Sequence, residues 1–339
     1  MLGLLLGLLF VTPFVVVYFL IIRWIDRFEP EPWWLLILAF IWGALFSTLG
    51  GGLSSGYVQS IVADWQGLPD SSEEMHAFAA TVLAPIFEEG FKGMGVAMIA
   101  GLSYIGLREI DGPLDGAIYG GVVGLGFTLT EDILYVARQY AEGGFKSFIV
   151  LLFVRTVLLG LSHCTFTACT GLGFGIAADS RKLRTKILAP LIGFICAMGL
   201  HHFHNVMPTK YAEVGTAFMI VVSLFIDLAF FVLLGLLVTR DRQVVLRELA
   251  GELGGLIHPH ELSAISTYFA IGRRNMAILF ADGFRPFFQR RRKQLALVEL
   301  AFIKNRRRRG EFGLELDVRE ARLRQEIYFA NQRGVWIGT

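Results

Sequence analysis

Three charged side chains lie inside the apolar segment 76–103, namely Glu88, Glu89 and Lys92. Lys92 follows the two glutamates by four and three residues, so all three can meet on one side of a helix. An ionisable group inside a membrane span costs about 2.5–3.5 kcal/mol, so it persists where it pairs, lines a wet cavity or takes part in chemistry. A structural ion pair between Glu88 and Lys92 accounts for one carboxylate, but it does not explain why a second one is present. The motif therefore predicts a carboxyl group that can move a proton.

Later apolar segments also carry ionisable groups and one polar amide. They are Glu131 and Asp132 in the fourth segment, Arg155 and His163 in the fifth, and His201, His204 and Asn205 in the sixth. The last three are spaced i, i+3 and i+4, so they share one helical face. Three histidines within four residues at the end of an apolar helix are not typical of packing. We therefore expect at least one of them in a site, and we expect Arg155 to pair with an acid on another helix.

The depth of these groups indicates that they converge. Counted from the outer helix ends at about 1.5 Å per residue, Glu88 lies about 18 Å deep and His163 about 22 Å deep. On the same scale Glu131 and His201 lie about 8–9 Å deep. Carboxylates and imidazoles gathered between the outer half and the middle of one bundle predict a water-filled cavity for hydrolysis.

Positioning such groups requires a helical bundle inside a membrane. Hydrophobic residues make up 54% of the 339 residues and charged residues 18%, which excludes a disordered chain and a single soluble domain. About 20 apolar residues span a bilayer as a helix. Seven segments qualify, at 2–22, 33–56, 76–103, 114–136, 148–177, 186–207 and 214–239. Their apolar runs are continuous, so we predict an all-α membrane protein with about seven transmembrane helices. Gly116, Gly120 and Gly124 are expected to let two helices approach closely.

The distribution of charge divides the chain and orients it. Residues 1–239 contain 12 Lys and Arg against 18 Asp and Glu, whereas residues 240–339 contain 19 against 11. We therefore predict a polytopic membrane domain over 1–239 and a basic tail over 240–339. The first, third and fifth loops carry basic residues, among them Arg27 and Arg108. Because basic loops stay inside, we predict a multi-pass protein of the cell membrane with its N-terminus outside and its C-terminus cytoplasmic.

The tail is predicted to form amphipathic helices over 244–257, 261–281 and 288–304, because apolar residues are spaced among the charges. Two basic clusters occupy 290–293 and 306–309. Such clusters gain about 1 kcal/mol per Lys or Arg at an anionic leaflet. We therefore expect the tail to associate with membrane lipids, with a soluble regulatory protein as the alternative partner. Nucleic acid is not expected as a partner, since no nucleic-acid-binding module is recognisable.

Taken together, four motifs resemble the PrsW family of intramembrane proteases, which is distantly similar to the CAAX-prenyl proteases. The motifs are Glu88-Glu89-x-x-Lys92; Asp115-Gly116-x-x-Tyr119-Gly120-x-x-x-Gly124-x-Gly126-Phe127 continuing to Glu131-Asp132; the His163 segment with Phe166 and Gly171; and His201 followed by Asn205. The resemblance covers about residues 10–240 and implies hydrolysis of a peptide bond in or near the span of a membrane protein. The family's second motif usually ends Glu-Asn, whereas this one ends Glu131-Asp132, which leaves the role of Asp132 open.

The resemblance and the chemistry of peptide hydrolysis imply roles for these residues. Hydrolysis needs an activated water, an oxyanion stabiliser and an acid for the leaving amine. The expected catalytic residues are Glu88, Glu89, His163, His201 and Asn205, and the expected supporting residues are Lys92, Glu131, Asp132 and His204. One of the two adjacent glutamates would deprotonate the water while Lys92 holds the other. The two catalytic histidines would polarise the water and the carbonyl, and Asn205 would donate to the oxyanion.

A metal-dependent form uses the same side chains. Glu89, His163 and His201 could bind Zn²⁺ and leave one coordination position open. The sequence has no HExxH motif. We expect the form without a cofactor, with zinc as the alternative.

Two other function classes are compatible with buried charges in a bundle. Buried Glu, Lys and His also form proton relays in transporters and channels, although no internal repeat links the two halves of the chain. A non-catalytic scaffold that binds membrane segments is the other alternative. The substrate that the resemblance implies is a single-span membrane protein such as an anti-sigma factor. The oligomeric state does not follow from the sequence.

Overall fold

A computed structural model of the chain describes residues 1–26, 28, 30–105, 107, 109–265, 267 and 270–338. Within these residues the regular structure is helical, with one isolated bridge between Leu253 and Ile257 and no strand. The prediction of an all-α protein is therefore confirmed. Arg27 and Arg108, which contribute to the predicted orientation, lie outside the described residues. The chain divides into two compact units, and the main division falls between Gly235 and Leu236.

The first unit is built from helices, most of them apolar. They are α1 (Leu2–Ile25), α2 (Trp33–Ile41), α3 (Thr48–Gln66), α4 (Glu73–Phe78), α5 (Ala84–Gly101), α6 (Pro113–Leu152), α7 (Ser162–Asp179) and the larger part of α8 (Leu183–Ala250). The side chain of Asp115 accepts hydrogen bonds from the backbone N–H groups of Asp111 and Gly112, at 3.1 and 2.7 Å. Asp115 therefore has the helix-capping role expected of an acid in a first turn.

Three π-helical turns interrupt these helices, at Trp42–Ser47, Ala79–Leu83 and Phe153–Leu158. A π-helical turn breaks the regular i to i−4 hydrogen-bonding pattern, and the bilayer offers no water for a freed carbonyl. Side chains of other helices donate to carbonyls in each turn. Thr130 donates to Ala44, Asn205 to Ala80 and Tyr18 to Thr156, at 2.7, 2.8 and 3.0 Å. These bonds also join the helices that meet at the candidate site.

The chain reverses its direction inside α6. Gly144 has the dihedral angles φ 70° and ψ −167°, which are not helical. The contacts of α1 run from Ala137 back to Gly121 before this residue, and from Phe148 forward to Thr156 after it. The reversal lies within the loop that the sequence predicts at 137–147.

A second reversal lies inside α8, at Ala212 (φ 47°, ψ −128°). The rings of Phe203 and Phe218 have centroids 6.2 Å apart. In a continuous helix fifteen residues would separate them by about 22 Å. This break also lies in a predicted loop, at 208–213.

Four of the described helical stretches are long and apolar enough to cross a membrane: Leu2–Ile25, Trp33–Gln66, Pro113–Asp179 and Leu183–Ala250. The last two contain 67 and 68 residues and include the two reversals. The predicted span 76–103 forms α4 and α5 but carries three charges, and it is not among the four. A membrane-embedded all-α fold is therefore supported, and the count of seven spans stays a prediction.

The second unit, from Leu236 onward, is a helical domain with its own core. Beyond the end of α8 it contains α9 (Pro259–Ile265), α10 (Ala270–Asp282), α11 (Phe284–Arg308) and α12 (Leu314–Gln332). Val245, Leu297 and Ile327 are fully buried in this core. The predicted breaks before Pro259 and at Gly283 match helix ends, whereas α12 was not predicted.

Candidate active site

Glu89 is the most enclosed acid of the first unit. Neither its side chain nor that of Lys92 is exposed, and Lys92 Nζ lies 2.8 Å from Glu89 Oε1. The hydroxyl of Thr167 donates to Glu89 Oε2 at 3.1 Å, and His201 Nδ1 lies 3.0 Å from Oε1. Donors on α7 and α8 therefore fix this carboxylate, together with the lysine of its own helix. A buried carboxylate held by so many donors is stabilised as an anion.

Glu88, one residue earlier, is placed very differently. Its side chain is 13% exposed, and its Oε2 atom is buried without a hydrogen-bond partner in the described part of the chain. This oxygen lies 3.7 Å from His201 Nε2. Because His201 Nδ1 faces the Glu89 carboxylate, Nδ1 carries the ring hydrogen and Nε2 is an acceptor. Two acceptors therefore face each other across a gap that a proton, a water or a cation can fill.

His163 lies between a cation and an anion. Its Nδ1 atom is 3.3 Å from Lys92 Nζ, and its Nε2 atom is 2.8 Å from Glu131 Oε2. Since Lys92 can only donate, Nδ1 accepts and Nε2 donates to the carboxylate. The rings of His163 and His201 have centroids 4.9 Å apart. The two imidazoles thus share one cavity with both glutamates.

Glycines bring His163 to this position. A Cβ atom added at Gly124 of α6 would overlap the backbone carbonyl of His163, and one added at Gly120 would lie 2.5 Å from the carbonyl oxygen of Thr167. The same close approach continues at Gly116, opposite Gly171. The spacing of four residues therefore lets α6 and α7 pack with their backbones in contact, as expected.

Arg155 holds the two acids at the end of the fourth predicted span. Its Nη2 atom donates to Glu131 at 2.6 Å, and its Nε atom donates to Asp132 at 2.9 Å. The hydroxyl of Thr156 donates to the other oxygen of Asp132 at 2.8 Å. The expected pairing of Arg155 with an acid on another segment is confirmed. Through Glu131, this network reaches the imidazole of His163.

His204 and Asn205 are placed at the border of the cluster. The His204 ring is 6.1 Å from that of His163, and its Nδ1 atom is buried without a hydrogen-bond partner among the described residues. The amide of Asn205 donates to the carbonyl of Ala80, and its neighbour His202 faces the carbonyl of Thr81. The structure therefore brings Asn205 to the π-helical turn before α5 rather than to the carboxylates.

The donor set fits a zinc ion in its chemistry. Glu89, His163 and His201 each offer one ligand atom, and these atoms lie within 4.8 Å of one another in a buried cluster. One carboxylate oxygen and two imidazole nitrogens are ligands that zinc accepts, with one position left open. Four acids (Glu88, Glu89, Glu131 and Asp132) face two cations (Lys92 and Arg155) in the cluster. When all four acids are ionised, the formal excess of two negative charges matches the charge of a divalent cation.

Several polar contacts of this bundle were not predicted. Thr167 and Thr156 hold the acids, although a lone threonine in an apolar helix gives no signal. Asp227, inside the segment 214–239, is buried and accepts a hydrogen bond from Thr165 at 2.6 Å. Its position in a predicted span could have identified Asp227 as a buried, hydrogen-bonded acid.

Comparison with known proteins identifies the family of this chain. No curated protein and no solved structure matches the chain. Residues 31–235 match the model of the PrsW family of intramembrane metalloproteases. This range contains both adjacent glutamates, Lys92 and the two histidines that lie against each other. That match covers more than half of the sequence, and the chain belongs to the PrsW family.

Proposed function

We propose that Glu88 is the general base of peptide-bond hydrolysis in this chain, whose family membership makes it a multi-pass membrane peptidase. The observation that carries the proposal is the asymmetry of the two adjacent glutamates. Glu89 has donors on both oxygens, whereas Glu88 Oε2 has no hydrogen-bond partner in the described chain and faces His201 Nε2. A base must have a free lone pair for the proton it takes, and Glu88 has one.

The proposed reaction moves one proton twice. Glu88 takes a proton from water as the water oxygen bonds to the substrate carbonyl carbon. The C–N bond then breaks, and Glu88 returns the proton to the leaving amine. Lys92, Thr167 and His201 keep Glu89 ionised and fixed during both steps. The predicted role of Asn205 as an oxyanion donor requires that its amide leave Ala80 when substrate binds.

We propose zinc as the cofactor, held by Glu89, His163 and His201. The expectation of a site without a cofactor is not supported, because the family model is described as a metalloprotease and the donor set fits zinc. When bound, zinc polarises a carbonyl and makes water more acidic. Glu88 has the same role with or without the ion.

The test uses purified full-length protein and a single-span reporter substrate in detergent micelles. Glu88→Gln and Glu89→Gln are compared with Glu142→Gln, an exposed acid paired with Arg138. We expect both site variants to lose activity by more than about 100-fold and only Glu89→Gln to lose bound zinc in elemental analysis. If Glu88→Gln keeps its activity, Glu88 is not the base. If wild-type protein binds no zinc and ignores chelators, the metal proposal is wrong. If no variant differs from an inactive wild type, the scaffold alternative gains support.

We further propose that the substrate is a single-span membrane protein, with an anti-sigma factor as one candidate, and that the N-terminus lies outside. A Cys introduced at Ser71 should then react with a membrane-impermeant reagent in intact cells, and one at Ser180 should not. The background needs Cys196→Ser, because Cys196 is exposed. Labelling of position 180 from outside would invert the orientation and move the cut to the cytoplasmic side.

A further inference from the structure

Apolar side chains are exposed where α10 and α11 of the tail domain meet. Phe280, Phe284 and Phe288 are 82%, 71% and 62% exposed, and Met276 is 47% exposed. Met276 and Phe280 share a face of α10, and Phe284 and Phe288 are stacked on α11 with ring centroids 6.5 Å apart. Only Gly283 (φ 85°) separates the two helices. This junction therefore exposes four large apolar side chains on two consecutive helices.

Two exposed arginines flank this surface. Neither Arg273 on α10 nor Arg285 on α11 has an acidic partner in the described part of the domain. We call these two arginines, with Met276, Phe280, Phe284 and Phe288, the aromatic tip.

The basic clusters behave differently from the arginines of the tip. Several of their members form ion pairs within the domain: Arg292 with Glu326, Lys293 with Glu261, Arg306 with Glu311, Arg307 with Asp317, and Arg308 with Glu248. The clusters that we expected to attract lipid are therefore largely neutralised by the fold itself. Arg273 and Arg285, by contrast, keep their charge available for a partner beside the exposed aromatic rings.

A second exposed apolar pair provides the contrast. Phe312 and Leu314 are 77% and 79% exposed, as much as the rings of the tip. Their neighbours in sequence are Glu311, Glu315 and Asp317. Glu311 and Asp317 are paired with Arg306 and Arg307. The apolar pair therefore lacks the available positive charge that Arg273 and Arg285 add to the aromatic tip, where Asp282 is the nearby acid, although the two surfaces are equally exposed.

We propose that the aromatic tip docks on an anionic lipid leaflet, with its rings at the acyl-chain boundary and its arginines on lipid phosphates. The tail domain begins on α8, a helix apolar and long enough to cross a membrane, so the chain itself holds the domain close to a bilayer. Exposed aromatic side chains beside cations are the combination that binds at a membrane interface. The inference does not depend on the proposed chemistry of Glu88.

The first test measures hydrogen exchange of the full-length protein in nanodiscs. Exchange over residues 273–291 should slow when phosphatidylcholine discs receive 30% phosphatidylglycerol. Arg273→Glu/Arg285→Glu should lower the docking equilibrium constant by about 30-fold, the product of two lost phosphate contacts. The matched control Arg322→Glu/Arg333→Glu reverses two exposed arginines of the same domain outside the tip. Equal loss in both double variants, or exchange that ignores lipid charge, overturns the proposal.

The second test locates the tip directly. A fluorescent aromatic amino acid replaces Phe284 in one protein and Phe312 in another, and both are reconstituted with lipids brominated in their acyl chains. Quenching at 284 without quenching at 312 is expected. Equal quenching at both positions overturns the proposal. Protection at 284 that persists in detergent and grows with protein concentration indicates a second copy of the chain and also overturns it.

Discussion

Two lysine–glutamate pairs are completely buried, one in each unit of the chain. In the membrane unit Lys92 pairs with Glu89 at 2.8 Å, and in the tail Lys293 pairs with Glu261 at 2.5 Å. All four side chains have no exposure. Burial and pairing alone therefore do not distinguish a candidate active site from a structural contact.

The partners around each pair do distinguish them. Glu261 also accepts the backbone N–H groups of His258 and Ile337, and Lys293 also donates to the carbonyl of Val335. These partners are backbone groups with fixed hydrogens, and they bind the end of the chain to the domain. Backbone partners of this kind cannot gain or lose a proton.

The pair in the membrane unit is surrounded by other ionisable side chains. Glu89 contacts His201, Lys92 contacts His163, and Glu88 Oε2 lies unpartnered beside them within the described structure. Protons can be distributed over these groups in more than one way. We infer that ionisable side chains in direct contact with a buried ion pair indicate chemistry, whereas an ion pair completed by backbone groups indicates stability.

The strongest test of this comparison removes each lysine. Lys293→Met leaves Glu261 buried without its cation and should destabilise the tail domain by about 3–5 kcal/mol. Lys92→Met should be less destabilising, because His201 contacts Glu89 and can be protonated in place of the lysine, which the backbone partners of Glu261 cannot. It should lower activity by about 100-fold or more. Denaturant unfolding and reporter cleavage measure the two effects.

The matched control is Glu261→Gln/Lys293→Met, in which the neutral amide oxygen can still accept from Ile337. It should restore much of the lost stability of the tail. Equal unfolding of the two single variants, with cleavage unchanged in Lys92→Met, would contradict the comparison.

A second test disturbs the packing that positions His163. In Gly124→Ala the new methyl group meets backbone atoms of His163 and Cys164, which cannot move without separating α6 from α7. We expect a loss of stability of about 1–3 kcal/mol and a loss of activity of about 100-fold from the displaced imidazole. Gly199→Ala, two residues before His201, is the control, because nothing lies within 4 Å of its added Cβ atom. Similar activity of both variants would show that the close approach is unnecessary.

The site was more predictable from the sequence than the number of spans. Glu88, Glu89, Lys92, His163 and His201 are predicted together, and the structure brings them into contact, although their roles stay predictions. Ionisable groups in apolar segments have few ways to be satisfied, so their meeting follows from their cost. The two reversals lie in loops that the sequence predicts, at Gly144 and Ala212. The π-helical turns did not follow, because they depend on packing between segments distant in sequence.

In the tail, the helix breaks were more predictable than the contacts between side chains. These breaks follow from Gly and Pro, but α12 was missed because only Leu323 and Ile327 are buried on it, a stripe too narrow to recognise. The ion pairs of its basic clusters were also not predicted. Their partners lie up to 60 residues away in sequence, as in Arg308 with Glu248, and local composition carries no information on such contacts.

A third test concerns Arg155, which reaches His163 only through Glu131. Arg155→Lys keeps the charge but cannot make both planar contacts, so we expect activity and zinc affinity to fall by about 10- to 100-fold. Asp132→Asn, the residue usual in the family motif, should change either quantity by less than about threefold, since its amide oxygen can still accept from Arg155. Cleavage rates and zinc titration provide the measurements. A larger effect of Asp132→Asn than of Arg155→Lys would show that the site depends on the charge of Asp132. It would not then depend on the two simultaneous contacts of the Arg155 guanidinium group.

The smallest expected effect belongs to a partly exposed network of the tail. Hydrogen bonds from Arg324, together with Lys304, lower the pKa of Glu252 from 4.5 to about 2, despite the opposing effect of burial. Because the folded-state pKa is depressed, the contribution of Glu252 to stability is fully present above about pH 4.5 and is lost as the pH falls towards 2. Hydrogen exchange of α11 and α12 should therefore accelerate over this interval in the wild type. Glu252→Gln should weaken that dependence, whereas Glu315→Gln, at an exposed position, should leave it unchanged. An unaltered acid response in Glu252→Gln would assign the response to other carboxylates.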